Sequence, residues 1–118
     1  MKSAISFDDV LLKPQYSEIE SRKDIDLSVK LGDLCLSLPV ISSPMDTITE
    51  ADMSFAIDSV GGIGIIHRYN TIEEQSKQIH SAHAKGAKNI GAAVGVTGDY
   101  LDRAKYAVEV IVVDNDSN

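Results

Sequence analysis

From Leu38 onward, short solid apolar runs alternate with longer stretches in which apolar residues recur at helical spacing. The runs are 39–42, 63–66, 89–94 and 110–113, with starts about two dozen residues apart. A solid run, instead of strict apolar/polar alternation, is the signature of a strand covered by helices. The first helix is expected over 50–60: Thr49 has Asp52 three residues later, Met53, Ala56, Ile57 and Val60 form an inward stripe, and Gly61 follows the end. Thr71-Ile72-Glu73-Glu74 opens a second helix with a capping box. That helix ends near Gly86 and buries a thinner stripe of Ile72, Ile79 and Ala82. A third helix is expected from about Asp99 to Ala107, with Leu101, Ala104 and Val108 inward.

The first 37 residues follow a different rhythm. Phe7-Asp8-Asp9-Val10-Leu11-Leu12 is a short apolar stretch stopped by Pro14. Asp26 to Leu31 alternates polar and apolar, and Gly32-Asp33 supplies a tight turn. Leu34-Cys35-Leu36 then pairs back as a hairpin. The expected organisation is an arm with a small hairpin over 1–37 and a β-α-β-α-β-α-β region over 38–118. Right-handed crossovers make this an α/β fold with a parallel sheet. Two architectures fit the pattern: an open doubly wound sheet, or a (β/α)8 barrel, which takes about 250 residues and of which four strands are half.

Composition narrows the function classes. Eleven basic against 18 acidic residues give a net charge of −7, which argues against a nucleic-acid surface and its basic stripe. A local phosphate remains compatible, because backbone amides and one basic group can hold it. The single cysteine, Cys35, cannot form an internal disulfide, and its apolar neighbours suggest a buried, inert thiol in a reducing compartment. The N-terminus is not a signal peptide and no stretch approaches a membrane span, so the default location is cytoplasmic.

The four strand ends share one edge of such a sheet. They present Ser42 to Thr47, then His67-Arg68, then Gly95-Val96-Thr97-Gly98, then Asp114 to Asn118. Hydroxyls, amides, a basic group and a carboxylate together suit a nucleotide pocket. Each piece also has a plainer reading. Asp46 or Thr47 could simply cap the following helix, and His67-Arg68 reads first as a solvated strand end. Gly61-Gly62-Ile63-Gly64 precedes its strand and lacks G-x-G-x-x-G spacing, so it reads as a helix end and turn. His80 and His83 lie three apart without further ligands and read as surface histidines, leaving no metal site. Asp114 and Asp116 read as solvated acids.

Five ordered segments resemble the inosine-5'-monophosphate dehydrogenase and GMP reductase family. They are Phe7 to Leu12, Ser42-Ser43-Pro44-Met45-Asp46-Thr47-Ile48-Thr49-Glu50, Gly61 to Arg68, Gly91-Ala92-Ala93-Val94-Gly95, and Val113-Asp114. The resemblance spans nearly the whole chain and implies a (β/α)8 barrel, a purine nucleoside monophosphate substrate and a nicotinamide cofactor. It implies that Ser43 helps hold the nucleotide, that Met45 packs against its base, and that Asp46 and Thr47 order the loop. It puts Asp114 near the nicotinamide ribose, with Asn115 where the family often has serine.

The departures are as informative. Asp116-Ser117-Asn118 offers no glycine where the family usually has one. His83 to Asn89 is only a short turn, where many family dehydrogenases insert paired regulatory CBS modules. Ser42-Ser43-Pro44-Met45 resembles the dehydrogenase version of the loop, whereas reductases more often have Asn just before the Met. The family's catalytic cysteine would lie beyond residue 118, and Cys35 does not match it. The resemblance therefore implies the N-terminal half of an NAD-dependent IMP dehydrogenase, tetrameric at full length, with an NADP-dependent GMP reductase as alternative. No catalytic residue is expected within these 118 residues. A reading of another class is a non-catalytic half-barrel that needs a partner.

Overall fold

The computed structural model describes residues 1–105 and 108–113. A short antiparallel hairpin, β1 (Val29–Leu31) and β2 (Leu34–Leu36), precedes the sheet. Then come β3 (Ile41–Ser42), α1 (Ala51–Ser59), β4 (Ile63–Ile66), α2 (Ile72–Lys85), β5 (Ile90–Val94), α3 (Tyr100–Arg103) and β6 (Val110–Val113). Strands β3 to β6 lie side by side in chain order and all pair in parallel. The fold is thus α/β with a parallel sheet, as the solid apolar runs require. β3 is shorter than expected: Pro39 has no N–H for a ladder, and the Val40 N–H is taken by the Leu38 carbonyl.

The sheet has two covered faces. On one, Ile66, Ile90 and Ala92 pack with Ala51 of α1 and with Ile79 and Ala82 of α2. On the other, Ile63, Ile65 and Ala93 pack against Leu36 of the hairpin, with Leu34, Val110 and Val112 at the margin. Strand alternation explains the split, since successive residues of β4 and β5 point to opposite faces. It also corrects the reading of Cys35. The thiol is exposed, because Leu34 and Leu36 on either side turn toward the sheet and send Cys35 outward.

The inward face of α1 also differs from the expected stripe. Met53, Ala56 and Val60 are exposed, whereas Ala51 and Ser54 are buried and Ile57 is half-buried. The reason is a close approach to β4. A Cβ added at Gly64 would lie 2.8 Å from the Ser54 Cα, so only small residues fit that contact. Thr49 does not cap α1; the Ala51 N–H is instead accepted by Gln78 Oε1 of α2 at 2.9 Å. The α1 end is as expected. Gly61 adopts φ 97°, and the Gly62 N–H returns to the Ile57 carbonyl.

Helix α2 carries its capping box, with Thr71 Oγ1 accepting from Glu74 N and the Glu74 carboxylate accepting from Thr71 N. Ile79 and Ala82 are buried and Ile72 is half-buried, as expected, and Gln75 completes the stripe. The turn after α2 is held from outside: Asp58 of α1 accepts from Lys88 N at 2.9 Å and from Asn89 N at 3.0 Å. Helix α3 is a single turn, shorter than expected. Its Leu101 faces solvent and Arg103 points inward, because buried acceptors await the guanidinium. The expected end at Ala107 lies outside the described residues.

Candidate functional site

A parallel sheet in sequential order gathers every strand's C-terminal end on one edge. Residues 43–50 follow β3, His67 to Asn70 follow β4, and Gly95 to Asp99 follow β5. Asp114, Asn115 and Asp116 follow β6 and lie outside the described residues.

The first loop folds on itself. The Met45 N–H reaches back to the Ser43 carbonyl across Pro44, and the Ile48 and Thr49 N–H groups both return to the Met45 carbonyl. Thr49 is fully buried, donates its hydroxyl hydrogen to the Ser43 carbonyl and meets the Ser42 hydroxyl. This lock leaves Ser43, Met45, Asp46 and Thr47 exposed, with Met45 half accessible. A hydroxyl and a thioether are therefore displayed on a backbone fixed from beneath. An open concavity of about 400 Å³ adjoins them, lined by Asp46, Thr47, Ile48, Glu50, Asp52 and Met53.

The second loop departs from the solvated strand end expected of His67-Arg68. His67 is only 4% exposed. Its Nδ1 accepts from the Tyr69 N–H at 3.1 Å, which leaves the ring hydrogen on Nε2 in the neutral form. That Nε2 is buried with no hydrogen-bond partner among the described residues, and the Glu50 carboxylate is 3.8 Å away. The Tyr69 ring stacks beside the imidazole, and the Arg68 guanidinium lies over Tyr69 at 5.3 Å.

Beneath the second and third loops runs a buried polar network. The Gln75 amide donates to the His67 carbonyl at 3.1 Å and to the Ala93 carbonyl at 2.9 Å, at the ends of β4 and β5. Its oxygen accepts from Arg103 Nη1 at 3.1 Å. Arg103 also donates to the Asn70 side chain and carbonyl and, through Nε, to Asp99 at 3.0 Å. The hydrogen bond from Arg103 holds the Asp99 carboxyl below the ordinary carboxylate value.

Gln75 and Arg103 are not singled out by the sequence, and Thr49 is singled out only as a helix-start signal, not as the group that locks the 43–49 loop. Gln75 had a usable signal, lying three residues after Ile72 and four before Ile79 on the apolar stripe. Asp99 and Arg103, four apart, had another. His80 and His83 are exposed, with Nδ1 atoms bonded to Ser76 and to the Ala87 carbonyl, and no metal-binding cluster exists among the described residues. No described helix is long and apolar enough to cross a membrane.

Sheet order and displayed loops define the class: an α/β protein with a sequential parallel sheet whose strand C-terminal loops share one edge. The chain belongs to the IMP dehydrogenase / GMP reductase domain family, whose model matches residues 4–117. It is 39% identical, over 98% of its length, to the inosine-5'-monophosphate dehydrogenases of Nitrosopumilus maritimus and Methanocaldococcus jannaschii. Against that of Bacillus subtilis it is 51% identical over 66% of its length. The inosine 5' monophosphate dehydrogenase crystal structure from Legionella pneumophila superposes with a TM-score of 0.80 at 40% identity, covering 95% of this chain and 35% of that one. The chain spans 26% and 24% of the two archaeal relatives.

Proposed function

We propose that this chain is the N-terminal part of an NAD-dependent dehydrogenase that oxidises IMP to XMP in GMP biosynthesis. The observation that carries the reading is the fixed 43–49 loop, with Ser43 and Met45 displayed at a strand C-terminus in a family member. Ser43 hydrogen-bonds the nucleotide and Met45 lays its thioether against the purine. Asp46 and Thr47 hold the loop once the rest of the site surrounds them. Asp114 and Asn115, which lie outside the described residues, would hold the nicotinamide ribose, Asp114 by accepting from its hydroxyls. The His67 Nε2, buried with no hydrogen-bond partner among the described residues, stands just past β4 with the Glu50 carboxylate 3.8 Å away.

In this reading a cysteine thiolate supplied by the rest of the enzyme adds to the purine C2. NAD, when bound, would supply the hydride acceptor for C2, and water would then cleave the thioimidate to XMP and the free thiol. The residues described here bind and orient the base. Residues 1–37 form an arm and 38–118 the N-terminal half of a (β/α)8 barrel without CBS modules, in a cytoplasmic enzyme that works as a homotetramer. The test is turnover of IMP with NAD against GMP with NADPH, on the polypeptide read past Asn118. NADH formation from IMP supports the dehydrogenase, whereas oxidation of NADPH with GMP makes the protein a reductase. A reading frame without a Gly-Ser-x-Cys-x-Thr loop removes the enzymatic reading.

One observation favours a second reading. Among the described residues β6 pairs only with β5, and Ile111 and Val113 stay exposed. Such an edge recruits another strand. A compact, cooperatively melting homodimer of the 118-residue chain in light scattering would support a self-sufficient half-barrel instead.

A further inference from the structure

We propose that Arg103, acting through Gln75, is a positioning residue that couples the loops after β4 and β5 and so sets the shape of the nucleotide pocket. The proposal rests on the nucleotide reading above. Arg103 is 7% exposed, and its guanidinium meets three separate pieces of chain. Nε donates to Asp99 at 3.0 Å, Nη1 to the Asn70 side chain at 3.2 Å and to Gln75 at 3.1 Å, and Nη2 to the Asn70 carbonyl. Gln75 carries the connection to the strand ends, since its amide joins the His67 and Ala93 carbonyls. Asn70 closes the second loop and Asp99 closes the third. One side chain therefore fixes the far ends of both loops, and its partner fixes their near ends.

Stability alone does not call for this arrangement. A buried cation loses its hydration, and well-packed apolar residues of similar volume often serve stability as well. Yet α3 turns Leu101 to solvent and Arg103 inward. Asp99 opens α3 but makes no side-chain cap there, because its carboxylate is engaged by Arg103. Both choices give up local stability for a defined geometry between loops. The geometry also requires arginine. A planar fork can serve acceptors lying in different directions at once, whereas the lysine ammonium gathers its three donors on one nitrogen at the end of a flexible stem.

The test uses the complete enzyme that carries this chain, with Arg103→Lys and Arg103→Met. Hydrogen exchange should quicken in residues 68–70 and 96–99 by about tenfold, the scale of one lost hydrogen bond, while Ile65 and Ala92 stay unchanged. KM for IMP should rise by about fivefold or more with kcat within about twofold, since ground-state placement is lost and the chemistry is not. Arg103→Lys should rescue neither. Where these variants do not fold, Asp99→Ala removes one exposed partner, and smaller changes in the same two loops are expected. Unchanged exchange in both loops, equal acceleration throughout the strands, or loosened loops with an unchanged KM would each overturn the proposal. If the unsubstituted enzyme does not turn over IMP, the functional reading fails, and the exchange contrast alone decides the coupling of the loops.

Discussion

Gly64→Ala probes the contact that aims the candidate site. Helix α1 starts directly after the 43–50 loop, and its underside rests on β4 at Gly64. The new Cβ would lie 2.8 Å from Ser54 Cα, 3.1 Å from Ser54 Oγ and 3.2 Å from Ile57 Cγ2. The nearest atom is backbone, so no rotamer change relieves the clash. The helix must recede about 0.6 Å to reach the 3.4 Å at which ordinary contact begins. Overpacking of this kind costs about 1–3 kcal/mol. Two other glycines in the same sheet region give the control. At Gly91 the clash, 2.3 Å, is with Ile65 Cδ1, the far end of a side chain that can turn away, so Gly91→Ala should be milder. At Gly95 the nearest atom is Arg68 Nη1 at 3.5 Å, an ordinary contact, and Gly95→Ala should lie within about 0.5 kcal/mol of the parent. Equilibrium urea unfolding of the three variants measures the order directly. A Gly91→Ala loss equal to or larger than that of Gly64→Ala would refute the argument that backbone contact, not nominal distance, decides the cost.

Three further outcomes follow from the same structure. Thr49→Val strips the only side-chain donor to the Ser43 carbonyl among the described residues, so urea unfolding should show a loss of about 1–3 kcal/mol that Thr49→Ser largely avoids. An equal loss in both variants would assign the effect to packing. Cys35 should react with a maleimide in the folded chain nearly as fast as in the denatured chain, and strong protection would contradict its exposed position. Asp99 has a folded pKa below its unfolded one, so its contribution is present above the unfolded value and fades as pH falls through the folded value. The Arg103 Nε–H resonance should therefore persist in mild acid and be lost only below the ordinary carboxylate range. Loss near neutral pH would rule out Asp99 as its partner.

Strand positions and the two long helices were legible because each is an uninterrupted signal. β4 and β6 fall on the solid runs, and α2 starts on a capping box whose two bonds both form. What escaped was which face of a helix turns inward when contact is set by space instead of apolarity. In α1 the apolar stripe Met53, Ala56, Val60 loses to Ala51 and Ser54, since β4 offers a glycine there. The site was half legible for the same reason. Ser43 and Met45 stand where a loop after a strand would display them. Of the groups that hold the loops, Gln75 is a polar residue on an apolar stripe, Arg103 lies off the stripe that patterning picks, and Thr49 reads as a helix start. Their partners lie up to 33 residues away in the chain.

The Asp58 clamp has a consequence for how this fold can be cut and lengthened. The turn between α2 and β5 is gripped at Lys88 and Asn89 by a carboxylate that belongs to neither neighbour. Strand β5 therefore takes its starting position from α1 as well as from the peptide running from Gly86 to Lys88. Chain added between Gly86 and Lys88 would have to leave Ala87 in the core, where it is buried and its N–H meets the Ala82 carbonyl. The carboxylate clamp and the buried alanine seat the turn from both sides, so a change at Asp58 on one helix would be felt at the start of a strand it never touches in sequence.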